Sequence, residues 1–250
     1  MADQIHDLGN GFWNIQGTFK IGGLVDIGTQ CSLVQLASGK FIFLDSYCLK
    51  DDVRAEVMAL TNNGQDVEAV LNLHPFHPVF CEEMASDFPN AKFYGSKRHH
   101  KKAPSVNWES DYVESEAVTS RYPELEFSLP RGIHYIHPNE HIHASSLLAY
   151  HPVSKSLHVD DTFVTPPDFL PSIITGFLPE IALHPTTKKA LLEEPNAGEA
   201  YCDWANEVAN QWSDTRNFCA AHSGVLTLEN GEFTQAVDKA VAKFRQKLEG

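Results

Sequence analysis

Residues 67 to 77 read Val-Glu-Ala-Val-Leu-Asn-Leu-His-Pro-Phe-His, an apolar run that ends on two histidines. A short apolar run bounded by turn residues reads as a buried strand, Val67 to Leu73. Pro75 and Pro78 prevent it from continuing as an ordinary ladder, because proline has no N–H to give. Upstream, Asp51 and Asp52 offer N-caps to a helix whose apolar residues Val53, Val57 and Leu60 recur at helical spacing, and Asn63-Gly64 stops it. Further upstream lie short strands at Phe12 to Ile15, Gly23 to Ile27, Ser32 to Leu36 and Lys40 to Leu44. Ser38-Gly39 turns the last pair into a hairpin. The order is therefore a β-meander, a helix, a strand and then a loop rich in potential ligands.

Downstream, two segments read as long loops of the kind that build or cover a site: 103 to 130, and 163 to 197 with six of the chain's 14 prolines. Between and around them, Gly132 to His137, Ser146 to Tyr150 and Ser156 to Val159 read as strands. A helix is expected over Ala200 to Trp212, then a short run from Asn217 to His222. Phe233, Val237, Ala240, Val241, Phe244 and Leu248 share one face of a terminal helix. Two strand-rich halves, each finished by helices, predict an α+β fold with helices outside two packed sheets. Of 13 histidines, five fall at predicted strand ends, where a site could gather them. These are His74, His77, His141, His143 and His222, and Asp160 and Asp161 follow the strand Ser156 to Val159 in the same way. His134, His137, His151 and His158 read as surface or packed residues.

At 250 residues, 42% of them hydrophobic and 21% charged, the chain reads as a single domain, 1 to 250, with a sizeable core. Its net charge of -14 argues against nucleic acid or an anionic membrane as partner; the partner expected is a small-molecule substrate. The one basic run, Lys97 to Lys102, reads as a solvated loop. Five cysteines without regular spacing fit reduced thiols. With an opening that has no basic-then-apolar leader, they point to the cytoplasm. Cys219 and Cys81 lie near histidines in sequence, but Cys219 sits in an apolar run and reads as a small buried thiol rather than a nucleophile. The sequence sets no oligomeric state.

Together these stretches resemble the metallo-β-lactamase superfamily. Residues 67 to 74 resemble the strand leading into its T-H-x-H-x-D-H motif, and Leu44-Asp45-Ser46 its L-I-D-T. Residues 146 to 152 with 157 to 163 are similar to the run from G-H-x-x-G-S to the bridging aspartate of L-F-x-G-D-T-x-F. Residues 218 to 224 resemble the last strand ending in G-H-G, and the order matches from about residue 10 to 248. The resemblance implies a metallo-β-lactamase-like four-layer αββα sandwich. It also implies metal ligation by His74, His77, His143 (or its alternative His141), Asp161 and His222, with Asp45 orienting a ligand histidine. The departures are local. Aligned without a gap, Phe76, Pro78 and Val79 stand where the first motif has its second His, its Asp and its last His. With a one-residue shift His77 serves as the second His while Val79 and Phe80 replace the Asp-His pair, so on either alignment the usual second metal loses its main ligands. What remains implies one divalent metal ion, zinc first with iron or manganese as alternatives, and a hydrolase using a single metal-bound hydroxide. The competing reading is a metal-free, catalytically inactive protein that keeps the fold as a binding or interaction module. A flavodiiron-type redox protein would need carboxylates that the first motif lacks. No acid, base or nucleophile is singled out.

Overall fold

Each of the two larger sheets contains neighbouring parallel strands whose trailing loops carry the residues of interest. The computed structural model describes residues 3–21, 25–166 and 181–249. They fall into two compact units: residues 1–126 with 151–154, and residues 127–150 with 155–250. No described helix is long and apolar enough to cross a membrane.

In unit 1 the elements are β1 (Gln4–Asp7), β2 (Phe12–Gly17), β3 (Lys20–Ile21), β4 (Val25–Asp26), β5 (Thr29–Gln35), β6 (Phe41–Leu44), α1 (Asp51–Leu60), β7 (Val67–Leu71), α2 (Cys81–Asp87), β8 (Lys92–Tyr94), α3 (Lys97–Lys102) and α4 (Glu116–Thr119). A six-stranded sheet runs β1-β2-β5-β6-β7-β8. The meander strands pair antiparallel, and β6, β7 and β8 pair parallel. α1 is the crossover that a parallel pair requires. Its N-cap is Lys50 rather than an aspartate, because the extended backbone ends one residue earlier than expected. Asp51 and Asp52 fall in the first turn, where their charge suits the helix dipole. Val53 and Val57 are buried, and the core joins them to Phe41, Phe43, Val67, Val70, Met84, Phe88 and Phe93.

Several expectations change here. The first strand, Gln4–Asp7, is additional, and Gly23 and Leu24 of an expected strand lie outside the described residues, leaving β4. Lys97 to Lys102 is helix, not a solvated loop. His99 Nδ1 accepts from the Ser96 backbone N–H at 3.0 Å, closing the first turn. Arg98 lies 4.5 Å over the Phe76 ring, so two of the six residues are committed to packing.

Unit 2 contains β9 (Glu126–Ser128) at its boundary, then β10 (Leu148–His151), β11 (Ser156–Val159), β12 (Phe163–Val164), β13 (Ala182–Leu183), α5 (Thr187–Ala190), α6 (Ala197–Gln211), β14 (Asn217–Ala220), β15 (Val225–Thr227) and α7 (Glu232–Glu249). Its sheet runs β15-β14-β11-β10-β9, with β11 and β14 parallel. The two long helices bury the faces their periodicity predicts: Tyr201, Trp204, Ala205 and Val208 on α6, and Phe233, Val237, Val241 and Phe244 on α7. Phe163 stacks on Trp204 at 5.9 Å and meets Phe233 edge-on at 6.2 Å, which anchors the chain just past Asp161 in the core.

The strand expected at Gly132 to His137 does not form. Only an isolated bridge joins Ile133 to Leu191. Gly132 takes φ +70, and a Cβ there would lie 2.1 Å from the Ala197 carbonyl oxygen, so the chain turns where a strand would have to continue. The loop expected over 163 to 197 holds the short pair β12 and β13 and the helix α5, and residues 167–180 of it lie outside the described residues.

Candidate metal centre

In unit 1, His74 and His77 follow β7 in a turn closed by the His77 N–H donating to the His74 carbonyl at 3.0 Å. Their rings meet edge to face with centroids 4.2 Å apart. Asp45, buried just after β6, accepts from the backbone N–H of Leu73 at 2.8 Å and of His74 at 3.3 Å. It thus grips the chain that leads into the histidine pair. On the other side, Arg98 donates to the Pro75 carbonyl at 3.0 Å. His99, fully buried, is pushed down to about 3 by burial first and then by the nearby His74 and His77. Because its Nδ1 accepts from Ser96, the ring is neutral with its proton on Nε2.

In unit 2, strand register explains how residues far apart in sequence converge. β11 and β14 pair parallel with Val159 beside Ala220, so two residues further on Asp161 comes beside His222. The His222 Nε2 lies 3.5 Å from Asp161 Oδ1. The other carboxylate oxygen, Oδ2, is 2.8 Å from His143 Nδ1. The Asp161 side chain is 1% exposed, while those of His143 and His222 are 36% and 29% exposed. The carboxylate is therefore sunk beneath two imidazoles that reach solvent. Thr162 ties the arrangement together. Its Oγ1 accepts from the Ser146 N–H at 2.8 Å and lies 2.9 Å from the Ser146 hydroxyl, which fixes the segment carrying His143. His141 is instead on the surface, its backbone N–H bonded to Asn139 Oδ1 at 3.0 Å. Of the two alternatives, His143 is the histidine beside Asp161.

His184 also belongs to this cluster, and sequence reasoning passed it over. β12 and β13 are antiparallel with Phe163 opposite Leu183, so the residue after Leu183 falls opposite Thr162 and next to Asp161. The His184 ring centroid is 5.2 Å from that of His143. Ligand atoms of His143, Asp161 and His184 all lie within 4.8 Å of one another. Two strands of two residues each leave no periodic signal, so only the pairing reveals it.

The cysteines stand apart from this chemistry. Cys219 is fully buried and its thiol is pushed well up by burial. Cys81, bonded to Asn72 Oδ1 at 3.3 Å, is pushed up to about 12. Neither forms a thiolate at neutral pH, which removes the Cys-His nucleophile.

The donor set fits a metal. Neutral imidazoles and a carboxylate are the ligands that borderline divalent cations select. With metal–ligand bonds of about 2.1 Å, donors on one tetrahedral ion lie roughly 3.4 Å apart. The 3.5 Å between His222 Nε2 and Asp161 Oδ1 is close to that value, while the 2.8 Å between His143 Nδ1 and Asp161 Oδ2 is a hydrogen bond that binding would replace.

No protein-family profile matches the chain, and no curated protein matches it. Solved structures do. The chain is similar to a metallo-β-lactamase from Erythrobacter litoralis, at 15% identity and TM-score 0.60 over 96% of each chain. It is also similar to the metallo-β-lactamase FIM-1 from Pseudomonas aeruginosa in its mono-zinc form, at 11% identity and TM-score 0.62, covering 97% of this chain and 96% of that one. A third, from Hirschia baltica, has 13% identity and TM-score 0.60 over 98% of each chain. The fold is therefore the α+β fold of the metallo-β-lactamases.

Proposed function

We propose that the protein is a metal-dependent hydrolase acting on a small molecule with a single divalent cation, zinc in first place. The observation that carries the reading is the buried Asp161 carboxylate with His143 and His222 against its two oxygens. The same fold in FIM-1 is known in a mono-zinc form, which supports one cation as a workable complement. The eroded loop after β7 supports the same count.

A bound cation of this class lowers the pKa of a water and polarises a carbonyl or ester oxygen. The chain's own part is to hold donors still. Thr162, bonded to Ser146, keeps Asp161 and His143 in register. Phe163 pins the following residue between Trp204 and Phe233.

The test is hydrolysis by chelator-treated protein with and without zinc, manganese or iron(II). Substrates would be simple esters, thioesters, phosphodiesters and a β-lactam. At least one should be cleaved only by the metal-loaded form and not by Asp161→Asn. Activity that survives both chelation and that substitution contradicts the proposal.

The metal-free binding module retains one observation in its favour: Val79 is 54% exposed in the loop where the resemblance would put a ligand. An exposed apolar side chain suits a contact surface better than a metal site. Under that reading chelation leaves both stability and binding unchanged.

A further inference from the structure

We propose that His184 is a ligand of the cation, so that His143, Asp161 and His184, all in unit 2, form a two-histidine, one-carboxylate face of the site, with His222 beside the other carboxylate oxygen. This rests on the metal-dependent reading above and adds to it a residue that the motif resemblance does not supply.

Three independent features place His184 there. The antiparallel β12–β13 register sets it opposite Thr162. Its ring lies 5.2 Å from that of His143. Its ligand atom is within 4.8 Å of those of His143 and Asp161, close enough for ordinary side-chain rotation to bring all three to one ion.

The hydrogen bonds of the ring define how it would bind. Nδ1 is 2.9 Å from Thr186 Oγ1 and 3.3 Å from the Thr186 backbone nitrogen. With the proton on Nδ1, the ring donates to the threonine hydroxyl and leaves Nε2 bare, the form a metal requires. Such a partner on the far nitrogen is how ligand histidines are oriented. The backbone N–H favours the opposite tautomer, so cation binding would exchange the ring proton from Nε2 to Nδ1 at no net change of charge on the ring.

The alternative is that His184 only closes the turn into α5, since the Thr187 N–H donates to its carbonyl at 3.0 Å. That role belongs to the backbone and survives replacement of the imidazole. A two-histidine, one-carboxylate face with open positions is the arrangement associated with iron(II) and also accepts zinc or manganese. The proposed ligand class is therefore a borderline divalent cation rather than calcium or magnesium.

The experiment is cobalt(II) titration of chelator-treated full-length protein, read by the visible d–d absorption and by calorimetry. The variants are His184→Ala and His184→Gln, with thermal midpoints confirming that both fold. The expected result is one equivalent of cobalt in the parent. Both variants should bind at least tenfold more weakly, about 1.4 kcal/mol, with an altered d–d band, while Thr186→Val, which removes only the orienting hydroxyl, should show a smaller loss. Unchanged affinity and spectrum in both His184 variants, with cobalt bound by the parent, overturn this inference and leave the metal-dependent reading standing. A parent protein that binds no cobalt overturns both.

Discussion

The loop after β7 and the segment after β11 each follow a strand with a parallel neighbour, and they hold their histidines in opposite ways. In the first, the rings of His74 and His77 meet edge to face, while a turn, Asp45 and Arg98 fix the backbone that carries them. In the second, imidazoles from His143 and His222 are gathered on a buried carboxylate, and strand register does the gathering. The difference teaches that a single short stretch can fix its histidines through backbone contacts alone. Strand register instead gathers side chains that are tied to the core at separate places.

The sharpest way to break this contrast is at the glycines that shape each unit. Gly132→Ala would drive a methyl to 2.1 Å from the Ala197 carbonyl at a backbone angle of φ +70. The obstacle is backbone and cannot move aside, so the loss should reach about 3 kcal/mol or more. In unit 1, Gly17→Ala meets the Tyr47 ring at 1.9 Å, and a side chain can rotate away. Its cost should be smaller, about 1 to 3 kcal/mol, with loss of the Tyr47 bond to Asp3. Urea midpoints that rank the two the other way would refute the distinction.

Next in size is metal affinity. Asp161→Asn should weaken zinc binding by at least about a hundredfold, roughly 2.7 kcal/mol. His77→Ala should cost about tenfold or less. If the order is reversed, the loop after β7 is the principal metal holder and the contrast falls.

A weaker effect sharpens the description of the first loop. His99 is held neutral with its pKa down at about 3, below the free value near 6.5. Its contribution to stability is therefore complete above about pH 6.5. It is lost as the pH falls towards 3, at about 1.4 kcal/mol per unit, because only the unfolded chain takes up the proton. His99→Gln should flatten the fall in stability between pH 6.5 and 4.5. An unchanged slope would show that His99 is not the group responsible.

Smallest of all are the exposed ion pairs. Arg54 with Asp87 at 2.7 Å in unit 1, and Arg245 with Glu199 and Asp203 in unit 2, are solvent-screened. Arg54→Ala and Arg245→Ala should each shift stability by less than about 1 kcal/mol.

The fold was legible in sequence where periodicity is long or punctuation is strong. The apolar run at Val67, the Ser38-Gly39 turn and the spaced face of α7 all read correctly. Legibility failed where tertiary geometry overrides local pattern. Gly132 looks strand-compatible in text but takes a positive φ, and Lys97 to Lys102 looks like a charge run until His99 and Arg98 find buried partners. In the site, Asp161 and His222 could be singled out because each follows a strand. His184 could not, since the two-residue strand before it has no pattern and its neighbour Thr162 lies more than twenty residues away in the chain.

The central claim, that unit 2 keeps a working metal site although the first motif is eroded, is tested most directly by the metal content of untagged protein, measured alongside its thermal midpoint before and after chelation. The account predicts close to one equivalent of zinc, iron or manganese, with a midpoint that falls on chelation and recovers on re-addition. Protein that carries no metal, and gains no stability when any of the three is supplied, would contradict it.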